Sequence, residues 1–241
     1  MAVTMTFFKV LPGKTREYVD FICDVREGRV EEHAASRRAI GLDVERAWLE
    51  PTAAGDVLIM YFEGDDPSKS LRMLAESKDD YDVWYKERLH DITGVDFSKP
   101  DAVELGEPVF ESPRISREGK EIPYATVIPI QPGLKDKWRA WLDELLVSRE
   151  NEYRNYLERY GLSVEKFFVL RTPSGPAGIL YAEGEDPAGA VAKFARSHHP
   201  FDAWMREEML YLNGIDFIRR QTAPAPDLML DWRTEARKAA A

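Results

Sequence analysis

The chain states one pattern twice: residues 7–97 align with residues 127–217 without a gap, at a constant offset of 120. Pro12-Gly13 recurs as Pro132-Gly133, and each copy ends at a Gly-Val/Ile-Asp-Phe run. A repeating unit of about a hundred residues is too long for a solenoid repeat and has the size of a small domain. The sequence therefore predicts two similar domains, residues 1–112 and 123–241, joined by a short charged linker of residues 113–122.

The composition supports two folded domains and argues against some classes of binding partner. The 241 residues are 44% hydrophobic and 32% charged, which is the profile of a globular protein rather than a disordered one. A formal net charge of −10 argues against nucleic-acid or anionic-membrane partners, which require clustered Lys and Arg. The chain has one cysteine, Cys23, so an internal disulfide and a cysteine-based metal cage are excluded. The longest apolar runs are strand-sized, and we expect a cytoplasmic protein without a membrane segment.

Both copies carry the same predicted elements in the same order. A strand closed by the Pro-Gly turn precedes a long helix with a glycine at its end, and a hairpin of two strands follows. A second helix begins at an Asp-Pro pair, in which the aspartate caps the helix and the proline occupies its first position. The helix is interrupted near residues 77–80 and 197–200, and a last strand lies near residues 108–111 and 228–231. The order is βαββαβ in each copy, an α+β arrangement of two tandem ferredoxin-like domains.

A four-stranded antiparallel sheet with helices on one face leaves its other face bare, and the second copy is the obvious cover. On this element order and the tandem repeat, the chain resembles the dimeric α/β-barrel superfamily, which includes antibiotic-biosynthesis monooxygenases, muconolactone isomerases, EthD-like proteins and chlorite dismutases. The resemblance implies two ferredoxin-like units packed sheet to sheet as an intramolecular α/β barrel, and a further homodimer of the fused unit is an additional expectation.

An arginine and a glutamate share the inward stripe of the first helix in both copies. Arg29 and Glu32 recur as Arg149 and Glu152, three residues apart and in line with the apolar positions. These four residues are candidate catalytic groups: the arginine would pair with an oxyanion and the glutamate would serve as a base. The alternative is an ion pair at a helix end with a purely structural role.

Aromatic side chains mark a candidate substrate pocket on the strands and helices of both copies. The alternative is that these residues belong to the core. The candidates are Trp48, Tyr61, Trp84, Tyr153, Tyr156, Phe168, Tyr181 and Trp204.

The copies also differ, and a duplicated protein can keep one working pocket while the other fills. His33 and Ser36 in the first copy stand where the second has Tyr153 and Tyr156. His33 joins the catalytic candidates because histidine is tuned most easily to act near neutral pH. The resemblance to chlorite dismutases makes haem binding an alternative. No histidine recurs in both copies, however, and we predict no cofactor and no metal site.

Two classes of function follow from the sequence. The first is an enzyme acting on a small apolar or aromatic molecule without a cofactor motif, as a monooxygenase, cyclase or isomerase, with any oxygen reacting directly with a substrate carbanion. The second is a non-catalytic ligand-binding or stress-associated scaffold, in which the Arg–Glu pairs are structural. An open cavity would favour the first class and a filled helix–sheet interface the second.

Overall fold

A computed structural model describes residues 1–217 and 224–239. The chain divides into unit 1, formed by Met1–Leu105 and Pro226–Ala241, and unit 2, formed by Gly106–Ala225. Among the described residues, no helix is both long and apolar enough to cross a bilayer.

The elements follow one another in the predicted order. The first part of unit 1 contains β1 (Ala2–Lys9), α1 (Thr15–Cys23), α2 (Val30–Ala39), β2 (Leu42–Glu50), β3 (Val57–Gly64), α3 (Pro67–Glu76) and α4 (Asp80–Thr93). Unit 2 contains β4 (Glu107–Glu111), β5 (Ile122–Pro129), α5 (Lys135–Val147), α6 (Glu150–Tyr160), β6 (Leu162–Thr172), β7 (Gly175–Gly184), α7 (Pro187–Arg196) and α8 (Pro200–Asn213). The chain then returns to unit 1 with β8 (Asp227–Arg233) and α9 (Glu235–Ala239).

Each unit is built on an open antiparallel sheet of four strands. The strand order is β1-β3-β2-β8 in unit 1 and β4-β6-β7-β5 in unit 2. The protein is therefore of mixed α+β class, and the two sheets are compatible with two ferredoxin-like units.

The last strand of each repeat lies in the sheet of the other unit. Strand β4, which follows the first repeat, pairs with β6 in unit 2, and β8 pairs with β2 in unit 1. The expected boundary at residue 112 consequently falls inside unit 2. Both added strands cover an edge of a hairpin, β2 or β6, whose backbone groups would otherwise be unpaired.

The segment expected to be a linker is attached to unit 2. The Ser112 amide donates to the Glu165 carbonyl at 2.9 Å, and the Ile115 amide donates to the Ser163 carbonyl at 2.8 Å. Further along, the Arg117 guanidinium donates to the carbonyl of Leu162 at 3.2 Å. These bonds continue the edge pairing of β4 beyond its last residue, so the segment is bound to unit 2.

One face of each sheet packs against its helices. Strand residues alternate between the two faces, so Ala47 on β2 shares its face with Met60 and Phe62 on β3. All three belong to the core of unit 1, which also contains Phe21 and Leu74 from the helices. Glu45, two residues before Ala47 and opposite Phe62, points to this same helix-covered side.

The predicted long first helix is in fact two helices in each copy. In unit 1, α1 ends in a π-helical turn, Asp24–Gly28, and the Arg29 amide bonds the Asp24 carbonyl at 2.7 Å. In unit 2, the Arg149 amide makes the matching bond to the Glu144 carbonyl at 2.9 Å. A bond spanning five residues widens the helix, and the arginine after it leaves the helical conformation, so α2 and α6 start in a new direction.

The predicted start and interruption of the second helix are confirmed. Asp66 accepts from the Lys69 amide at 2.9 Å, and Asp186 accepts from the Gly189 amide at 2.9 Å. Between α3 and α4, and between α7 and α8, three residues are not helical. At the end of α2, Gly41 has φ +77°, a left-handed conformation that glycine adopts without strain.

Candidate functional site

The predicted Arg29 and Glu32 lie together at the joint between α1 and α2. Arg29 donates to Glu32 at 2.7 and 2.8 Å, and the two side chains are 26% and 50% exposed. The guanidinium also lies over the ring of Trp84, 4.2 Å from its centroid, and 4.9 Å from that of Tyr81. This arginine therefore holds the helix joint against α4.

The second copy repeats the arrangement. Arg149 donates to Glu144 at 2.7 Å and to Glu152 at 3.0 Å, and it lies 3.9 Å from the ring centroid of Trp204. The geometry of both copies is that of the structural alternative, an ion pair at a helix end. A catalytic role for these arginines and glutamates stays a prediction.

Four predicted aromatic residues lie on the sheet face away from the helices. Tyr61 alternates with the core residue Met60, and its hydroxyl donates to Glu63 at 2.8 Å. Trp48 shares that face with Tyr61, and Phe168 shares the equivalent face with Tyr181, whose hydroxyl donates to Glu183. All four are buried. Trp48 and Tyr61 are on the opposite side of the unit 1 sheet from the helix-side cavity described next.

Unit 1 contains a cavity of about 310 Å³ between its sheet and its helices. Its walls are mainly apolar, with a few polar groups at two ends. The buried end carries Glu45 and Tyr85, and the exposed end carries Arg72, Lys99 and Asp101. The apolar lining comprises Phe8, Met60, Phe62, Leu71, Leu74, Ala75, Leu89, Phe97, Val103 and Leu105. Such an apolar space with a few convergent polar groups is typical of a small-molecule site.

The loop after α4 forms one wall of this cavity. Pro100, Val103 and Leu105 line it, and Thr6 on β1 donates to the Glu104 carbonyl at 2.8 Å. On the sheet side, the ring of Phe97 meets that of Phe8 edge to face, with centroids 5.1 Å apart. The loop is therefore tied to the sheet at a point inside the cavity.

The buried end of the cavity is an ionic pair supported by a tyrosine. Arg37 on α2 donates through Nε to Oε2 of Glu45, and the hydroxyl of Tyr85 donates to Oε1 at 2.8 Å. The Arg37 guanidinium lies 4.2 Å from the centre of the Tyr85 ring. All three side chains are fully buried. Two hydrogen bonds and one stacking contact fix the carboxylate in place.

Burial and neighbouring charges compete in setting the charge of this pair. Burial alone would raise the pKa of Glu45, but the attraction of Arg37 and the hydrogen bonds that Glu45 accepts outweigh it, and the pKa of Glu45 is lowered. Burial works against the charged guanidinium as well, yet Glu45 raises the pKa of Arg37. Burial and the nearby Glu45 both raise the pKa of Tyr85. At neutral pH the site is thus an ionised carboxylate, an ionised guanidinium and a neutral phenol.

His33, a predicted catalytic residue, lies beside this pair. Its Nδ1 hydrogen-bonds the Tyr81 hydroxyl at 2.8 Å, and its Nε2 is 3.6 Å from Oε2 of Glu45. Burial, followed by the positive charge of Arg37, lowers the pKa of His33 to about 3. The imidazole is therefore neutral at physiological pH, and it does not line the cavity.

A second buried carboxylate extends the network behind Arg37. Asp82 accepts from Ser36 and from Ser77, each at 2.5 Å, and Ser36 accepts from Nη1 of Arg37 at 2.8 Å. The chain of contacts runs from Asp82 through Ser36 and Arg37 to Glu45. Arg37 is held from two directions, which fixes its position relative to the cavity.

Unit 2 has a buried carboxylate equivalent to Glu45 but no arginine at the position of Arg37. Glu165 stands 120 residues after Glu45, while Leu157 stands at the position of Arg37. Tyr153 donates to Glu165 at 2.5 Å. Burial raises the pKa of Glu165 to about 7, and the hydrogen bond from Tyr153 lowers it only in part. The same carboxylate is therefore ionised in unit 1 and close to half-protonated at neutral pH in unit 2.

Larger side chains also fill the core of unit 2. Tyr156 and Phe194 stand at the positions of Ser36 and Leu74, and their rings meet edge to face with centroids 5.7 Å apart. Phe194 packs in turn on Phe217 at 5.0 Å. Tyr153 and Tyr156, predicted to bind substrate, belong to this aromatic core, with ring planes 10° from parallel. In unit 1, by contrast, Leu74 lines the cavity.

Sequence reasoning missed Glu45, Arg37 and Tyr85. One signal was present: alternation on β2 puts Glu45 on the same face as Ala47 and Leu49, so a charge stands at a core position. The second signal was the replacement of Arg37 by Leu157 between the copies. Among the described residues, no group of three His, Cys, Asp or Glu side chains is placed to hold a metal ion.

Comparison with known proteins identifies similar structures without a family assignment. No protein-family model matches the chain, and no curated protein matches it. A solved structure of a putative monooxygenase from Fusobacterium nucleatum has a TM-score of 0.53 to this chain and 10% sequence identity, over 96% of this chain and 94% of that one. The structure of an anthrone oxidase-like protein has a TM-score of 0.51 and 12% identity, over 97% and 93% of the two chains. At such identities the likeness shows the fold alone.

Proposed function

We propose that unit 1 binds a small, largely apolar or aromatic molecule in its cavity and acts on it as a monooxygenase-like enzyme without a bound cofactor. The observation that carries the proposal is the cavity of about 310 Å³ with an ionised carboxylate, Glu45, at its buried end. A mainly apolar cavity with a charged acceptor at its buried end orients a flat molecule and limits its contact with water. The names of the structural neighbours support the same class of activity.

The overall reaction needs only dioxygen as co-reactant. An activated ring methylene and dioxygen give a ring carbonyl and water, with one oxygen atom in each product. In this proposal Glu45 accepts a hydrogen bond from the substrate and sets its orientation, and Tyr85 supports the carboxylate. The wider assignment, a fused tandem member of the dimeric α/β-barrel superfamily, is part of the same proposal and is supported by the two four-stranded antiparallel sheets.

A non-catalytic ligand-binding role is the second candidate, and the charge states of the site favour it. The lowered pKa of Glu45 makes it a weak base, and His33 is neutral and lies behind the wall. General-base catalysis is most effective when the pKa of the base lies near the working pH. A binding protein would use the same cavity and the same acceptor without turnover.

Anthrone is a suitable probe because its oxidation to anthraquinone by dioxygen follows the stoichiometry above. Its enol tautomer carries the hydroxyl that can donate to Glu45. Oxygen uptake and anthraquinone absorbance are measured together with the intact protein. We expect turnover above the buffer rate, and a loss of about tenfold or more in Leu74→Phe, which places the unit 2 side chain in the cavity. Met73→Phe is the matched control, since Met73 is exposed on the same helix and does not line the cavity.

Two results separate the candidates. Binding of anthrone without oxygen uptake would leave the ligand-binding role and exclude the monooxygenase role for this probe. Turnover that Leu74→Phe leaves unchanged would show that the reaction takes place elsewhere. Met60→Phe is a second cavity-filling variant for use if Leu74→Phe does not fold.

A further inference from the structure

The buried end of the cavity in unit 1 offers hydrogen-bond acceptors. A carboxylate has about four acceptor positions. At Glu45 two of these are taken, by Arg37 and by Tyr85. The hydroxyl hydrogen of Tyr85 is used in its bond to Glu45, and that of Thr6 is used in its bond to the Glu104 carbonyl. The Glu45 side chain is 0% exposed, so a ligand contacts its carboxylate only after the side chains that cover it shift. It then finds free acceptor positions, while these two hydroxyl donors are already engaged.

The positively charged member of the pair, Arg37, lies outside the lining of the cavity. Arg37 does not line the cavity, whereas Glu45 does. Arg37 is also bound on its far side by Ser36 and lies 3.8 Å from Asp82. A ligand in the cavity consequently meets the negative member of the pair. An anionic group at the same place would face a carboxylate inside a protein interior, where like charges repel strongly.

We propose that Arg37 and Glu45 are the specificity-determining pair of this cavity: they select ligands whose buried end is an uncharged hydrogen-bond donor, a hydroxyl or a ring N–H, and reject the same skeleton carrying an ether or a carboxylate. Arg37 is the positioning residue, because it keeps Glu45 ionised and in place. Glu45 makes the contact with the ligand. This inference rests on the proposed function, since it concerns the same cavity.

Three naphthalenes of one shape test the selection: 1-naphthol, 1-methoxynaphthalene and 1-naphthoate. Their binding to the full chain is measured by calorimetry near neutral pH. Hydrogen bonds to a charged acceptor are stronger than those between neutral groups, so we expect 1-naphthol to bind at least about tenfold more tightly than the methyl ether. We expect 1-naphthoate to bind more weakly than 1-naphthol, because its carboxylate is repelled by Glu45 and has only Arg72 and Lys99, at the exposed end, as partners.

The double variant Arg37→Leu with Glu45→Gln removes both charges together and should fold, because replacing a whole buried ion pair is often neutral. The amide can donate as well as accept, so the preference for 1-naphthol over the methyl ether should fall to about twofold or less. Glu165→Gln in unit 2 is the matched control and should keep the wild-type preference.

The outcomes distinguish this inference from the proposed function. Equal binding of 1-naphthol and its methyl ether by the wild-type protein would overturn the inference and leave the binding cavity intact. A preference that persists in the double variant would overturn it too, since the selection would then come from other groups. Failure of all three compounds to bind would count against the cavity as a site for this class of ligand, and so against the proposed function itself.

Discussion

Arg37 donates a hydrogen bond to Glu45 in the interior of unit 1, whereas in unit 2, where Glu165 is the equivalent carboxylate, Leu157 stands at the position of the arginine. The two carboxylates stand at the same position of the repeat and are both fully buried. Their pKa values nevertheless shift in opposite directions, down for Glu45 and up for Glu165. The ionised acceptor of unit 1 thus has a guanidinium beside it, and the carboxyl group of unit 2 that titrates near neutrality has none. The tyrosine partner differs as well, since Met205 stands at the position of Tyr85.

Arg37→Leu should leave Glu45, like Glu165, as a buried carboxylate without an arginine partner. Removing one member of a buried ion pair leaves the other charge uncompensated, which costs about 3–5 kcal/mol. We expect the free energy of unfolding to fall by that order and the pKa of Glu45 to rise towards the value of Glu165. Urea unfolding gives the first quantity, and the infrared carboxyl band as a function of pH gives the second.

The control for this substitution is the double variant Arg37→Leu with Glu45→Gln, in which neither member of the Arg37–Glu45 pair keeps a charge. It should recover most of the lost stability. If Arg37→Leu has the urea midpoint of the wild type and the pKa of Glu45 stays below its ordinary value, Arg37 is not the group that keeps Glu45 ionised.

Glu165 should make the stability of the protein fall as pH rises. Its folded pKa of about 7 exceeds its ordinary value of 4.5, so between these values the folded chain holds a proton that the unfolded chain has released. The contribution is fully present below about pH 4.5 and is lost by about pH 7, a change on the order of 3 kcal/mol. Glu165→Gln cannot ionise, and its amide oxygen can still accept from Tyr153.

The measurement is the difference in urea midpoint between wild type and Glu165→Gln across this pH range. We expect the variant to gain stability relative to wild type as pH rises. Glu158→Gln, on the exposed surface of the same unit, is the control and should show no comparable trend. A difference that stays constant with pH would contradict a raised pKa for Glu165.

Much of the fold could be predicted because each local sequence pattern occurs in both copies of the repeat. Strand alternation, the Asp66 and Asp186 caps and the interruption of the second helix are all local signals, and the structure contains them. The exchange of β4 and β8 could not be predicted this way. A strand pattern shows that a segment is extended, but the edge with which it pairs depends on contacts distant in sequence.

The candidate site was harder to predict for a related reason. Arg29 and Glu32 recur in both copies, and recurrence drew attention to a pair that holds a helix joint. Glu45 recurs too, yet its surroundings differ between the copies because Arg37 does not. A functional residue present in one unit alone can be found in the sequence only as a difference between the repeats. That Arg37 and Glu45 form a site becomes clear only when α2 is seen packed against β2.

Gly64→Ala should destabilise the end of β3. A Cβ at this position would lie 2.6 Å from the carbonyl oxygen of Gly41, which is closer than real Cβ atoms approach. The neighbour is backbone and cannot rotate away, so the strand has to shift, at a cost of about 1–3 kcal/mol. Gly28→Ala is the control, because a Cβ there meets nothing within 4 Å. Equal thermal midpoints for the two variants would show that the close approach of Gly41 and Gly64 is not maintained in solution.

Arg29→Ala tests whether the recurrent pair at the helix joint is structural or catalytic. The guanidinium is near the surface, and its contact with the Trp84 ring is of a kind worth about 0.5–1 kcal/mol at exposed sites. We expect a small loss of stability, with 1-naphthol binding and anthrone turnover unchanged, because Arg29 does not line the cavity. Arg149→Ala makes the same change at the Trp204 joint and should behave alike. A loss of turnover in Arg29→Ala alone, with folding and ligand binding intact, would instead support the catalytic role predicted from the sequence, since a purely structural pair should respond equally in both repeats.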